Sequence, residues 1–234
     1  MKKMLASFLF LTLGISLVWA GDNYQQMDRL FRAKQYQDLE DICQTRLKAN
    51  PKSLDSYYFL SLMKLNQGKG QDAVSSMLAF EKYHGEIEES QQRTKGKNFA
   101  LVDSYYVDLY YFLGQYYVGQ KKYNRALYWL DKAKTHYSDD PMLHFFMGRS
   151  YAGQGNYDQA VKSFQKQAQL TPKDPTAPYN IACCYAEEGK EGDAVGWLKK
   201  AIAANPKYRD QIRQDDSFKK IKSSKAFQDL VASK

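Results

Sequence analysis

The sequence predicts an all-α fold, a solenoid of antiparallel helix hairpins, and two features of its second half support that prediction. The first is a period of 34 residues at which three kinds of position recur in phase. The second is that the apolar residues between these positions have helical rather than alternating spacing. A period of this length is typical of stacked supersecondary units that bury a continuous core between neighbours. The recurring positions are Gly114, Gly148 and Ala182, then Tyr117, Tyr151 and Tyr185, then Ala126, Ala160 and Ala194.

The clearest unit covers residues 141–174, and its helix-capping and helix-ending residues predict two helices. Asp140 suits a helix N-cap, and Pro141 suits the first helical turn. Gly155 can adopt the positive φ that ends the first helix, and Asn156 can cap the second. Each unit is therefore expected to be a helix hairpin.

The same unit resembles the tetratricopeptide repeat family. That family has a small residue and an aromatic residue three apart in the first helix, which Gly148 and Tyr151 match. Its second helix carries a small, an apolar and a second small residue, which Ala160, Phe164 and Ala168 match. The resemblance implies a right-handed superhelical solenoid in which small residues let the two helices of a hairpin approach closely.

The chain divides into eight predicted segments, and the repeat pattern weakens toward the N-terminus. In the repeat at 54–87, Ser61 occupies the position that Gly114 occupies in the next repeat, and Lys64 replaces the aromatic residue. A charged stretch from Glu86 to Asn98 interrupts the phase, and it is either a recognition loop or a tolerated surface insertion. The segments are a signal peptide (1–20), a degenerate first repeat (21–53), repeats at 54–87, 107–140, 141–174 and 175–208, an insertion with the start of a long helix (88–106), and a C-terminal helical cap (209–234).

The first twenty residues have the form of a secretory signal peptide. Lys2 and Lys3 give a basic start, and the apolar run from Leu5 to Trp19 leads to a small residue, Ala20. An uncleaved membrane anchor is the alternative, but the run is shorter than the ~20 residues of a spanning helix. We therefore expect cleavage after Ala20, no stable membrane span afterwards, and a bacterial protein that is periplasmic or secreted.

Charge and cysteine content exclude several functions. The formal net charge is +8, but Lys and Arg alternate with Asp and Glu throughout, so nucleic acid is not an expected partner. The three cysteines are Cys43 and the adjacent pair Cys183 and Cys184. Adjacent helical side chains diverge too far for an unstrained disulfide, so we favour buried free thiols over a redox or metal pair.

No catalytic constellation is apparent in the sequence. The three histidines, His84, His136 and His144, are not placed to pair with a cysteine or a carboxylate. Phosphate-binding, dinucleotide-binding and metalloprotease motifs are lacking, and metal ligands do not occur at usable spacing. We therefore expect no enzymatic activity, no cofactor and no metal.

The resemblance places a candidate binding groove along the first helices of the repeats. Four units have an aromatic residue three positions before the small residue, where it should face the groove. The alternative is that these aromatic side chains pack between neighbouring first helices. The predicted groove residues are Tyr58, Tyr111, Phe145 and Tyr179, followed one turn later by Leu62, Gln115, Arg149 and Cys183.

A further groove residue, Asn180, matches one asparagine of the carboxylate clamp found in some members of the family. Phe145 and Arg149 stand at other clamp positions in place of the expected lysine and asparagine. The clamp function is therefore not carried over, and an extended peptide or an amphipathic helix is the expected ligand.

The sequence thus predicts a non-enzymatic scaffold or adaptor that binds a protein or peptide partner in the cell envelope or outside the cell. The alternative is a structural subunit that docks through its convex face, where Trp129 and Trp197 recur, or that self-associates. An enzyme with an unrecognised site is the remote third possibility.

Overall fold

The computed structural model describes residues 24–94 and 106–232, with the side chains of 88–94 excepted. The predicted signal peptide and residues 95–105 of the predicted insertion lie outside this range. All regular secondary structure in the described ranges is helical. No helix within them is long and apolar enough to cross a bilayer.

The chain separates into two compact units, one ending at Leu109 and the other starting at Tyr110. The helices of the first part are α1 (24–32), α2 (Tyr36–Ala49), α3 (Leu54–Asn66) and α4 (Gly70–Thr94). They are followed by α5 (Val107–Gly119), α6 (Tyr123–Tyr137), α7 (Pro141–Gly153), α8 (Tyr157–Leu170), α9 (Thr176–Glu187), α10 (Glu191–Ala204), α11 (Tyr208–Gln214), a short 3₁₀ helix (Asp216–Phe218) and α12 (Lys225–Ala232).

The hairpin of α7 and α8 begins and turns as its sequence predicts. The carboxylate of Asp140 accepts a hydrogen bond from the amide of Met142 at 2.8 Å, which caps α7. Gly155 has a φ of +75°, in the left-handed region that favours glycine. Asn156 Oδ1 accepts from the amide of Gln159 at 3.3 Å and caps α8. These local signals define the hairpin before any tertiary contact is considered.

The small residues of the first helices receive large side chains from the second helices. A Cβ atom added to Gly148 would lie 2.6 Å from Phe164 Cε1, and one added to Gly114 would lie 2.5 Å from Leu130 Cδ2. Ala160, the predicted counterpart of Gly148, is fully buried in the same core. The close approach is therefore filled by an aromatic or aliphatic side chain lying over the glycine.

The last helices cover the apolar flank of the final hairpin. Ile212, Phe218, Ile221 and Phe227 are buried in one cluster with Leu198 of α10. Because a stack of hairpins otherwise exposes the apolar face of its last member, this segment completes the core of the second unit.

The first unit differs from its sequence-based description at the end of α4. This helix continues to Thr94, beyond the predicted end of its repeat at Ile87. Residues 88–94 contain glutamate, glutamine and arginine, which favour helix, and no glycine or proline that would end it. The first part of the predicted insertion is therefore helical.

A buried polar contact ties the start of α5 to the rest of the first unit. The hydroxyl of Tyr106 donates to Asp55 Oδ1 at 2.5 Å, and Arg46 Nη2 lies 3.8 Å from Asp55 Oδ2. Burial raises the pKa of Asp55, and the contacts with Tyr106 and Arg46 oppose that rise. Burial is the larger effect, so the pKa of Asp55 lies above its ordinary value, and the two neighbours offset only part of the rise.

We expect Gly148→Ala to destabilise the second unit by roughly 1–3 kcal/mol, because the new methyl group would overlap Phe164. The matched control is Gly196→Ala in α10, where an added Cβ meets no atom within 4 Å. That change should stabilise the protein by up to about 1 kcal/mol, since glycine is unfavourable inside a helix. Urea unfolding measures both, and equal effects of the two substitutions would contradict the close contact.

Candidate functional site

The two predicted groove residues of the first unit lie in its core. Tyr58 and Leu62 are 3% and 8% exposed. The Tyr58 ring packs against Tyr24 and Phe59, with ring centroids 6.2 Å and 5.0 Å away. Tyr58 and Leu62 were predicted to face an open groove, and that prediction is wrong for both. They are buried, because Tyr24 of α1 packs over the Tyr58 ring.

Three predicted residues at the start of the second unit also pack against neighbouring side chains. The half-buried ring of Tyr111 stacks on Tyr137 at 5.0 Å, and its hydroxyl is hydrogen-bonded to Gln115 and Asp140. The half-buried ring of Phe145 lies between Phe146, at 5.3 Å, and Phe164, at 6.4 Å. Tyr111 and Phe145 therefore pack against neighbouring aromatic side chains, as expected if these positions tighten the helix packing and do not line an open groove.

The remaining predicted residues come together in an open cleft of about 400 Å³ in the second unit. Arg149 of α7 and Asn180 of α9 line it, with the ring of Tyr179 and the thiol of Cys183. The cleft is continued by residues that were not predicted to line a groove, namely Tyr123, Ala152, Gly153, Tyr157, Phe164, Cys184, Glu187, Asp215 and Ser217.

Asp215 and Ser217 bring the C-terminal segment to one end of this cleft. The hydroxyl of Tyr179 donates a hydrogen bond to Asp215 Oδ2, and Asp215 Oδ1 accepts from the amide of Ser217 at 2.8 Å. Burial raises the pKa of Asp215, but the bonds from Tyr179 and Ser217 outweigh it, so the pKa lies below its ordinary value. A capping aspartate before Ser217 and Phe218 is the sequence signal that could have identified this contact.

The carboxylates of the cleft already have partners. Glu187 Oε2 lies 3.3 Å from Lys220 Nζ, and Asp215 is held by Tyr179 and Ser217 as above. A ligand therefore need not supply a cation to compensate either acidic group.

Two hydrogen-bond donors of the cleft have no such partner. The side-chain nitrogen Nδ2 of Asn180 is buried and finds no acceptor among the residues that the structure describes. Arg149 is exposed, has no carboxylate within 4.0 Å in the same residues, and rests over the Phe145 ring at 5.8 Å. A buried N–H without an acceptor is unfavourable, so this cleft is suited to a ligand that provides oxygen acceptors.

The cysteines of the cleft are neutral thiols. All three cysteines of the chain are free. Burial raises the pKa of Cys183 and raises that of Cys184 to about 12, so neither is a thiolate at neutral pH. No cluster of three or more His, Cys, Asp or Glu suited to a metal ion occurs in the described part of the chain. The thiols contribute apolar surface to the cleft.

The tryptophans proposed for convex-face docking differ in exposure. Trp129 is 1% exposed and stacks on Tyr110 at 5.2 Å, so it does not reach the surface. Trp197 is half-buried, and Lys200 Nζ lies 3.6 Å from its ring centroid. The expected pair of surface tryptophans is therefore corrected, because the first of them belongs to the core.

Successive helix hairpins with recurring small-residue contacts define a helical repeat protein. Its polar groups that have no partner among the described residues, on Arg149 and Asn180, lie in the cleft between two first helices. A sequence profile described as tetratricopeptide repeat matches residues 151–214, and one described as anaphase-promoting complex, cyclosome, subunit 3 matches residues 102–167. Residues 151–214 therefore carry tetratricopeptide repeats. No curated protein matches it in sequence.

Solved structures share this fold at low sequence identity. YrrB, described as a TPR protein with an unusual peptide-binding site, is 20% identical, with a TM-score of 0.57 over 79% of this chain and 85% of its own. A structure of the MamA protein is 19% identical, with a TM-score of 0.54 over 82% of this chain and 94% of its own. At these identities the likeness shows the α-helical fold.

We expect Tyr179→Phe to weaken the attachment of residues 208–232 by roughly 1 kcal/mol, because it removes the hydrogen bond to Asp215. Hydrogen exchange of that segment measures the effect, and Tyr185→Phe on the same helix is the control.

The loss of hydrogen-exchange protection that Tyr179→Phe causes in residues 208–232 should also depend on pH. Because the folded-state pKa of Asp215 is lowered, its stabilisation is complete above the ordinary value of 3.8 and is lost as pH falls through the folded pKa. An undiminished difference in strongly acidic buffer would show that the Asp215 carboxylate does not carry the contact.

Proposed function

We propose that this protein is a non-enzymatic interaction scaffold that binds an extended segment of a partner protein in the cleft between α7 and α9. The observation that carries the proposal is the buried N–H of Asn180, which has no acceptor among the described residues, beside Arg149, which has no ion-pair partner among them. The description of YrrB as having a peptide-binding site supports this class of function on the same fold.

The chemistry of the cleft favours a ligand rich in acceptors. A backbone carbonyl of an extended peptide can accept from Asn180 Nδ2, and an acidic side chain or terminal carboxylate can pair with Arg149. The neutral thiol of Cys183 offers apolar surface between these groups, beside the Tyr179 ring, which is 7% exposed and packs against Tyr208 and Phe218. An acidic or C-terminal segment with a small apolar side chain meets all of these requirements.

The volume of the cleft limits how much of a ligand it can enclose. About 400 Å³ accommodates a few side chains, and the Tyr179–Asp215 contact closes one end. The bound segment should therefore be short, with its remaining length outside the cleft.

We expect Asn180→Ala to weaken peptide binding roughly threefold to tenfold, the effect of losing one hydrogen bond in a largely desolvated site. Peptides are first selected from a random displayed library against the unmutated protein, and affinities are then measured by fluorescence anisotropy. Arg149→Glu should weaken acidic peptides further and reverse the charge preference of the selection.

The control for Asn180→Ala is Gln169→Ala, an exposed amide on α8 that is outside the cleft. Selected peptides should bind this variant as they bind the unmutated protein. Equal affinity of these peptides for the Asn180→Ala and unmutated proteins would refute binding at this cleft.

We further propose that the scaffold acts outside the cytoplasm, in the periplasm or the medium of a bacterium. The support is the basic start and the short apolar run before Ala20. Expression in a bacterial host should give a mature protein that begins at Gly21, measured by cell fractionation and N-terminal sequencing. Replacing Leu11 by Arg within the apolar run should keep the precursor uncleaved in the cytoplasm, whereas cytoplasmic retention of the unaltered chain would contradict export.

A further inference from the structure

A second depression of the second unit lies between α6 and α8 and shares no lining residue with the cleft. It has a volume of about 390 Å³. Lys134 of α6 stands on one side, and Lys162 and Lys166 of α8 stand on the other. We call this depression the lysine pocket.

The floor of the lysine pocket is built from one stripe of α7. His144, Met147 and Tyr151 follow one another at helical spacing, and the first two are 7% and 4% exposed. The Nε2–H of His144 donates to the carbonyl oxygen of Ser138 at 2.7 Å, so this ring nitrogen already has a partner, and the half-buried Tyr151 ring is the most exposed part of the floor. The pocket therefore combines an apolar floor with a basic rim.

The cations of the rim are incompletely compensated. Lys166 lies 3.7 Å from Asp139, and both side chains are well exposed, so this ion pair is weak. Lys134 and Lys162 have no carboxylate within 4.0 Å in the described part of the chain. Asp131 is near enough to act on Tyr151, which leaves three lysines against two aspartates around the pocket.

We propose that the lysine pocket is a second protein-binding site, which takes an acidic segment of a partner protein by inserting an apolar side chain between flanking carboxylates. The rim matches those carboxylates, and the Met147 and Tyr151 floor matches an aliphatic side chain. A bare inorganic anion fits this surface less well, because no arginine is found among the described residues that line it and its floor is apolar.

The experiment uses the full chain and a fluorescein-labelled peptide in which glutamates surround a single leucine. Anisotropy should show saturable binding that weakens as salt is raised, because exposed charge pairs are screened. The double variant Lys134→Glu with Lys162→Glu should weaken binding about tenfold or more, as expected for reversing two partly exposed charges.

Two controls separate this site from the cleft and from general attraction between charges. Lys199→Glu changes an exposed lysine of α10 outside the pocket and should leave the affinity within about twofold. Arg149→Glu with Asn180→Ala disables the cleft and should leave the salt-sensitive binding at the lysine pocket in place. Lys134→Gln with Lys162→Gln removes charge without reversing it, so it should also weaken peptide binding, but by less than the double glutamate variant.

The proposal is overturned by any of three results. The first is no binding by the unmutated protein, and the second is equal loss in Lys199→Glu and the pocket variant. The third is binding of inorganic pyrophosphate that depends on Lys134 and Lys162 while the leucine of the peptide makes no difference, which would define a small-anion site.

Discussion

The close approach of two helices within each hairpin is the contact on which the second unit depends. In α5 and α7 a glycine leaves room for a large side chain of the following helix, Leu130 over Gly114 and Phe164 over Gly148. Ala182 and Leu198 occupy the same positions in the next hairpin and are fully buried in one cluster. A larger residue in the first helix would push the hairpin open, and the spacing between successive first helices would change with it.

The spacing of α7 and α9 in turn creates the cleft and determines its chemistry. The C-terminal segment closes one end, since Asp215 accepts the hydrogen bond of Tyr179 and also caps its own turn. With both carboxylates of the cleft satisfied, the groups without a partner among the described residues are the buried N–H of Asn180 and the exposed guanidinium of Arg149. The end of the repeat array is therefore part of the candidate site as well as a cover for the core.

The cleft and the lysine pocket are lined by different residues of the same helix, α7. α7 supplies Arg149 to the cleft and His144, Met147 and Tyr151 to the floor of the pocket. Because successive residues of a helix face different directions, one helix can serve two surfaces without sharing a side chain. Both surfaces present donors or cations that have no partner among the described residues, Asn180 and Arg149 in the cleft and Lys134 and Lys162 in the pocket, so both favour partners that carry oxygen acceptors or acidic groups.

Local signals in the sequence determined the helices of this protein, their caps and the positions of the small residues. Asp140, Gly155 and Asn156 act on atoms a few residues away, so their roles could be predicted without a fold. The end of α4 and the burial of the aromatic residues could not, since they depend on which distant segment packs there. Tyr58 and Tyr179 occupy equivalent repeat positions, yet Tyr24 covers the first while Asp215 binds the second. Only the tertiary structure decided which repeated residues form a site, because a period fixes the direction of a side chain but not its neighbours.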